Sequence, residues 1–363
     1  MKRAISLFIF IALLSACSKE EKDFLLWQVS RGSGEAFSVN VSDSGFYACG
    51  SLDGSAYFIL YDNDRKQLLD LKTGLNGMFT SAWFDRSSYI LAGRENRRMF
   101  LQRYNPDGTI AWQRTLDGSY NIDQADLFYL GNNTLLAVGS ADADSLSAGD
   151  NGILFLKFDT AGNIISRKDI TGTGYVSARA DRDAQGNIFL ALTRQSAGSR
   201  SRSAAAKYNS DFNLLWETDL FNNPAISSSS LSVKKTGDRI LIAGRTELPS
   251  GSGTVLNSFI VSLDNNGNLS SGWSKKYPEA GNEGPSLAPD KNNDIVMLNR
   301  RCMVLTRIGA NDGLVSPLSR TFDVCSAEST DVFGNDAKVM NDGNILLAGS
   351  VGGKFFVGIR TPL

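Results

Sequence analysis

Four arginines follow apolar runs at nearly one repeated place: Arg94 in "ILAGR", Arg245 in "LIAGR", Arg300 in "VMLNRR" and, one residue further along, Arg194 in "LALTR". A guanidinium stays charged and offers a planar fork of donors, so several that converge can grip a carboxylate, sulfate or phosphate. Arg97, Arg98, Arg200, Arg202 and Arg301 add charge to the same stretches. The alternative is that these side chains pair with Asp53, Glu95, Asp126 or Glu247, or are simply solvated. Other chemistry is sparsely provided. The chain has no histidine, which removes the commonest metal ligand and general base. "SADADSLSAGDNG" (140–152) offers Asp142, Asp144 and Asp150, but not in the spacing of a calcium loop, and it reads as a polar loop. Glu283, Glu328 and Asp126 could reach one face, yet nothing pairs two of them as a glycosidase requires. No metal or cofactor is expected. Cys49 lies inside an apolar run and reads as a small core residue. Cys302 and Cys325 fall near one end of one repeat, where a disulfide and two free thiols are both open.

The elements that carry these residues repeat. "GFYACGS", "YILAGR", "LLAVGS", "NIFLALTR", "RILIAGR", "DIVMLNRR" and "NILLAGS" place equivalent residues at 50, 93, 139, 192, 244, 299 and 349. Each follows a short segment and a turn, and each precedes a second apolar strand such as "AYFILY", "MFLQRY" or "ILFLKF". Turns rich in Asn, Asp and Gly then lead to a fourth strand that often carries Trp, as in "NPDGTIAWQRT" (105–115). Four short strands per roughly 45–50 residues, joined by hairpin turns, are the grammar of a β-propeller blade. The apolar runs do not alternate, as expected of strands covered on both faces. The recurrent Ala-Gly fits a close approach of backbones.

The last copy has three strands before Leu363, and "FLLWQVS" (24–30) is a fourth strand without a blade of its own. The expectation is an all-β, seven-bladed β-propeller over 24–363 whose last blade is closed by the N-terminal strand, which removes an open edge. With 42% hydrophobic residues, 21% charged and a formal net charge of -1, the chain suits a globular protein and not one that coats nucleic acid. With the four strands of a blade labelled A to D from the axis outward, the A–B and C–D turns share one face. The B–C and D–A connections share the other and include the long stretches 94–98, 140–152, 194–203 and 245–257, where binding residues tend to lie. Tyr120, Tyr175, Tyr277 and Phe333 would add stacking surface there.

"ILAGRENRRMFLQRYNPDGTIAWQRTLDG" resembles the delta-60 and SBBP-like propeller repeats of bacterial secreted and surface proteins. More distantly the chain is similar to the Trp-bearing repeats of quinoprotein dehydrogenases and of the outer-membrane assembly lipoprotein BamB, which usually form eight blades. Trp27, Trp112, Trp216 and Trp273 stand at the repeated position, where packing between blades is the expected role. Residues 1–17, "MKRAISLFIFIALLSAC", combine Lys2 and Arg3 with an apolar stretch too short to span a bilayer. Leu14-Ser15-Ala16-Cys17 resembles a bacterial lipobox. That implies a signal peptide over 1–16, a lipid on Cys17 and a linker over 17–23. "SKEEKD" (18–23) lacks the Asp that retains lipoproteins in the inner membrane, and it resembles the export tract of surface lipoproteins. The function expected is a binding or scaffold module, anchored by lipid in a bacterial outer membrane. Its long-loop face would meet an anionic glycan or a protein partner, with no role for nucleic acid. A carbohydrate-active hydrolase or lyase on the same propeller is the alternative, so an enzymatic role stays open while a non-catalytic one is preferred. The side of the membrane is not decided by these residues.

Overall fold

The computed structural model describes residues 25–85, 88–96, 98–116, 122, 124–140, 152–172, 174–195, 200–221, 226–250, 253–270, 275–277, 286–290, 292, 294–300, 303, 305–309 and 331–361. Among the described residues there is no α-helix. The strands begin with β1 (Leu25–Ser42), β2 (Gly45–Leu52), β3 (Ser55–Asp62), β4 (Gln67–Asp85), β5 (Ser88–Glu95), β6 (Arg98–Tyr104) and β7 (Ile110–Thr115). Next come β8 (Gln124–Gly131), β9 (Thr134–Ser140), β10 (Gly152–Asp159) and β11 (Ile164–Thr171), then β12 (Tyr175–Arg182), β13 (Ile188–Arg194), β14 (Arg202–Tyr208) and β15 (Leu214–Asp219). They continue with β16 (Ser227–Thr236), β17 (Arg239–Ser250), β18 (Gly253–Leu263) and β19 (Lys275–Tyr277), and with β20 (Ser286–Pro289), β21 (Ile295–Leu298) and β22 (Leu305–Ile308). The last are β23 (Val332–Val339), β24 (Ile345–Val351) and β25 (Lys354–Arg360).

All pairings are antiparallel between strands adjacent in sequence, apart from β25 with β1. Strands β8–β11, β12–β15 and β16–β19 form four-stranded sheets, β20–β22 a three-stranded one, and a ten-stranded sheet runs β23-β24-β25-β1-β2-β3-β4-β5-β6-β7. Two long strands change partner within that large sheet. Residues 25–33 of β1 pair with β25 and residues 34–42 with β2. Likewise β4 pairs with β3 up to Asn76 and with β5 from Gly77. The expected loop 245–257 is instead a hairpin extension, with the β17–β18 ladder continuing from Arg245↔Ser258 out to Ser250↔Gly253. The β-branched Thr246, Thr254 and Val255 favour that extended backbone.

Sheets pack face to face, and both faces of a strand are used. On β9, Leu135 and Ala137 enter one apolar cluster with Leu101 and Leu154, while Leu136 and Val138 enter the next with Leu190 and Tyr208. This is why the second strands read as unbroken apolar runs. Cys49 is fully buried in β2, and burial pushes its thiol well above the ordinary range, as suits a core residue.

The Ala-Gly signature has a specific cause. On the first strand of a unit, register slips by one between Ala36 and Ser38, Phe79 and Ser81, Ser230 and Ser232, and Gly334 and Asp336. These β-bulges lie directly opposite Gly50, Gly93, Gly244 and Gly349. A Cβ on those glycines would collide with the carbonyl oxygens of Glu35, Met78, Ser229 and Phe333. Where the first strand has no bulge at that level the constraint relaxes. Leu192 replaces the glycine opposite Ala178, and a Cβ on Gly139 would meet only side chains, at 3.1 Å or more.

The Trp and the Gly-containing turn of the repeated phrase also meet, across neighbouring units. Trp112 Nε1 donates to the Thr160 carbonyl and Trp216 Nε1 to that of Asn265, both at 2.9 Å. Gly162 and Gly267 lie flat on those indoles, in turns with φ of +84°, so a side chain there would meet both backbone strain and the ring. Trp27 packs edge-on to Phe46 and Tyr61. The packing role expected of these three Trp residues is what is seen; Trp273 lies outside the described residues.

Replacing Gly244 or Gly349 by Ala should destabilise the protein by about 1–3 kcal/mol or more through overpacking. Gly139→Ala should stay within about 1 kcal/mol of wild type, because Ala is otherwise the better strand residue. Urea midpoints of the three variants check this difference.

Candidate functional site

First strands of successive units contact one another in the order β1, β4, β8, β12, β16, β20, β23 and back to β1, enclosing an axis. Along the inner stretch of each, which is residues 34–42 of β1 and 77–85 of β4, there is a partner strand on one side only, so the other edge presents backbone N–H and C=O groups that need partners. One repeated position supplies many of them. Ser38, Ser81, Asp126, Arg179, Ser232, Ser286 and Asp336 each stand opposite the residue before the glycine position, and all line one axial cavity of about 380 Å³. Ser81 Oγ accepts from Leu127 N at 3.1 Å, Asp126 from Ala180 N at 2.7 Å, Ser232 Oγ from Leu287 N at 3.3 Å and Asp336 from Val39 N at 3.2 Å. Arg179 has no acceptor, and there Asp181, two residues on, accepts from Lys235 N at 2.7 Å instead.

Asp336 is the most heavily used of these groups. It also accepts from Ser38 Oγ at 3.2 Å and Ser286 Oγ at 3.1 Å, and Lys338 Nζ lies 3.5 Å away. Burial pushes its carboxyl up, but Lys338, Arg179 and Lys234 together outweigh that and hold it below the ordinary carboxylate range. Burial likewise lowers the Lys338 ammonium, against the pull of Asp336.

Toward the long-loop face the axis opens into a second cavity of about 350 Å³, lined by Phe37, Gln124, Arg179, Leu231, Arg245, Arg300 and Asn335 among others. Two of the four arginines singled out by spacing therefore share one site. Arg245 Nε lies 3.6 Å from Glu247, one of the four carboxylates considered as partners but on its own strand β17, and Arg300 Nη2 lies 3.3 Å from Glu35. The Nε atoms of both are buried without a hydrogen-bond partner. Arg300 also stacks 5.8 Å from the centre of the Phe333 ring. Arg194 goes elsewhere: it pairs with Glu217 and, at 3.2 Å, with Asp219, over the Tyr175 ring. One residue of offset turns a strand side chain to the opposite face of its sheet. Tyr175 is buried and donates to Glu217 at 2.8 Å. Burial, then the carboxylate, pushes its hydroxyl up to about 12, so it is a structural donor and not open stacking surface. Arg94 does not line the cavity.

Sequence spacing missed Arg179, which sits on the inner strand "YVSARADR" and belongs to both cavities. Its only signal was a charged residue where the other units carry Ser or Asp. It pairs with Asp126 at 3.2 Å, so Asp126 is committed to a guanidinium and a backbone N–H. Glu283, Glu328, Tyr120, Asp142, Asp144, Asp150, Arg97, Arg301, Cys17, Cys302 and Cys325 lie outside the described residues, as does the side chain of Tyr277. Among the described residues no cluster of three or more Cys, Asp and Glu side chains is placed to hold a metal ion.

No protein-family description and no curated protein matches the sequence. Solved structures do. The WD40 β-propeller domain of Doa1 matches at TM-score 0.59 and 13% identity, covering 94% of this chain and 97% of that one. YCF48 bound to D1 peptide matches at 0.57 and 10%, covering 95% and 96%. Drosophila Plexin A in complex with Semaphorin 1b matches at 0.54 and 8%, covering 93% and 87%. The chain is a β-propeller.

Asp336→Asn should cost about 3–5 kcal/mol at neutral pH, because it leaves Lys338 without its countercharge. A carboxyl whose folded pKa is depressed adds stability above its unfolded value, about 3.9, and loses it as pH falls through the folded value. The wild type should therefore lose stability below about pH 4, and the variant should lose less over that window, as followed by denaturation at stepped pH.

Proposed function

We propose that this protein is a lipid-anchored, seven-bladed β-propeller of a bacterial outer membrane that works as a binding module, its axial mouth open to an anionic ligand or an acidic protein partner. The observation that carries the reading is the convergence of Arg179, Arg245 and Arg300 on one concave cavity at the long-loop face, where the buried Nε of Arg300 has no partner and that of Arg245 has only a long ion pair to Glu247. Unpaired buried donors are costly, and a carboxylate, sulfate or phosphate would satisfy them. Doa1, YCF48 and Plexin A share only the fold, but two of those structures are described as complexes with a peptide or a protein, which favours a partner-binding role. Asp126 is held by Arg179 and Ala180 N–H, which disfavours it as one of a hydrolytic carboxylate pair.

Seven blades are supported by dividing the ten-stranded sheet where β1 and β4 change partners, which would make three blades beside the four smaller sheets. Residues 25–33 then complete the last blade with β23, β24 and β25, and the β1–β25 pairing supports that closure. The anchor rests on the lipobox-like ending at Cys17.

Wild type should bind a uronic-acid or sulfated oligosaccharide with an affinity that falls as salt rises. Arg245→Ala with Arg300→Ala should weaken it roughly 100-fold or more, at about 1.5–3 kcal/mol per shielded charge-assisted contact. Titration calorimetry at two salt concentrations reads the loss, and an unchanged thermal midpoint separates it from unfolding. Binding that is indifferent to both substitutions and to salt would remove the site. Separately, Cys17→Ser should abolish lipid labelling and release the protein from membranes; persistent labelling would remove the anchor.

A further inference from the structure

Outer strands carry a second repeated irregularity, at the short-turn end of the molecule. Register slips at Leu25/Trp27 on β1, Gln67/Leu69 on β4, Ile164/Ser166 on β11 and Leu214/Trp216 on β15. The residues left out of the ladder are Leu26, Leu68, Ile165 and Leu215, and they are 40%, 53%, 56% and 52% exposed. On β7 the corresponding residue is Ala111, but its neighbour Ile110 is 54% exposed. Of the nine large apolar side chains exposed among the described residues, all but Val255 lie at this one level of successive outer strands or just after their turns. A bulge alone protects an edge strand from pairing, and charged residues or proline serve that purpose better. Scattered apolar residues need no explanation, but a girdle repeated from unit to unit marks a contact surface.

We infer that this apolar girdle rests on a lipid surface of zwitterionic headgroups, so that the propeller stands on the membrane by its short-turn rim with the arginine-lined mouth facing away. The inference rests on the reading of Cys17 as a lipid anchor. Cys17 lies eight residues before Leu25, a tether that reaches at most about 28 Å, and Leu26 at its end is itself part of the girdle. The turn beside Leu68 carries Arg65 and Lys66 with Asp62 and Asp64, while the other turns beside the girdle present Asp107, Asp159 and Asp264, whose carboxyls are held below their ordinary range by hydrogen bonds from Thr109, Asn163 and Asn268. They stay charged at neutral pH and would repel an anionic bilayer, which is why the headgroups are zwitterionic.

The test places photoreactive benzoylphenylalanine at Leu68, Ile165 or Leu215 of the full chain reconstituted with phosphatidylcholine vesicles, with Arg202 at the opposite end as the control position. Mass spectrometry should find phospholipid adducts at the three girdle positions and none at Arg202. Adding phosphatidylglycerol should reduce their yield. Absence of lipid adducts, equal adducts at Arg202, or crosslinks only to a second copy of the chain would each overturn the inference. The mass of the N-terminal peptide reads lipid attachment separately, so a failed anchor and a failed girdle are told apart.

Discussion

A sheet wrapped about an axis leaves one edge of every first strand pointing inward, and those backbone groups must be hydrogen-bonded where little water reaches. The protein meets this constraint with side chains that serve as surrogate strands. In four units an acceptor at one repeated position reaches the N–H of the following residue position in the next unit, as Asp126 does for Ala180 and Asp336 for Val39. The acceptor must be short, since a long side chain would fill the axis and separate the strands. Ser and Asp meet that demand, and each such bond ties two first strands that do not pair with each other.

Much else follows from bringing first strands to that axis at the right height. A bulge precedes Ser38, Ser81, Ser232 and Asp336, though Asp126 makes the same bond without one. The bulge drives a carbonyl against the second strand, which is tolerable only where that strand carries glycine. At the periphery Trp112 and Trp216 do the complementary work, each lying on a glycine turn of the next unit and bonding its backbone. No unit buries its faces alone, so stability is shared between neighbours.

Arg179 shows how the same frame acquires the cavity proposed above as a binding site. At a position that otherwise holds an acceptor, a guanidinium cannot complete the stitch, and Asp181 replaces it. The cation is left between two cavities, balanced in part by Asp126. Arg245, within β17, and Arg300, just past the end of β21, line the second cavity with it. Held on or beside rigid strands, these charges would lose little entropy on engaging the ligand proposed above.

The all-β blade grammar was legible from local pattern alone, because apolar runs, Asn-Gly turns and their period report covered strands and hairpins without reference to distant residues. Glycine at 50, 93, 244 and 349 even encoded the bulges, although only the ladder register identifies the colliding carbonyl. The site was half legible. Arg245 and Arg300 obey the repeat, whereas the parity of one residue sends Arg194 to Glu217 and Asp219 on the other side of its sheet. Arg179, in an inner strand, gained its meaning only when strands more than fifty positions apart in sequence were brought round one axis. Sequence by itself determined the units and their turns, which depend on neighbours in the chain. Tertiary structure decided which charges meet, because a rotation from blade to blade sets directions that no local spacing contains.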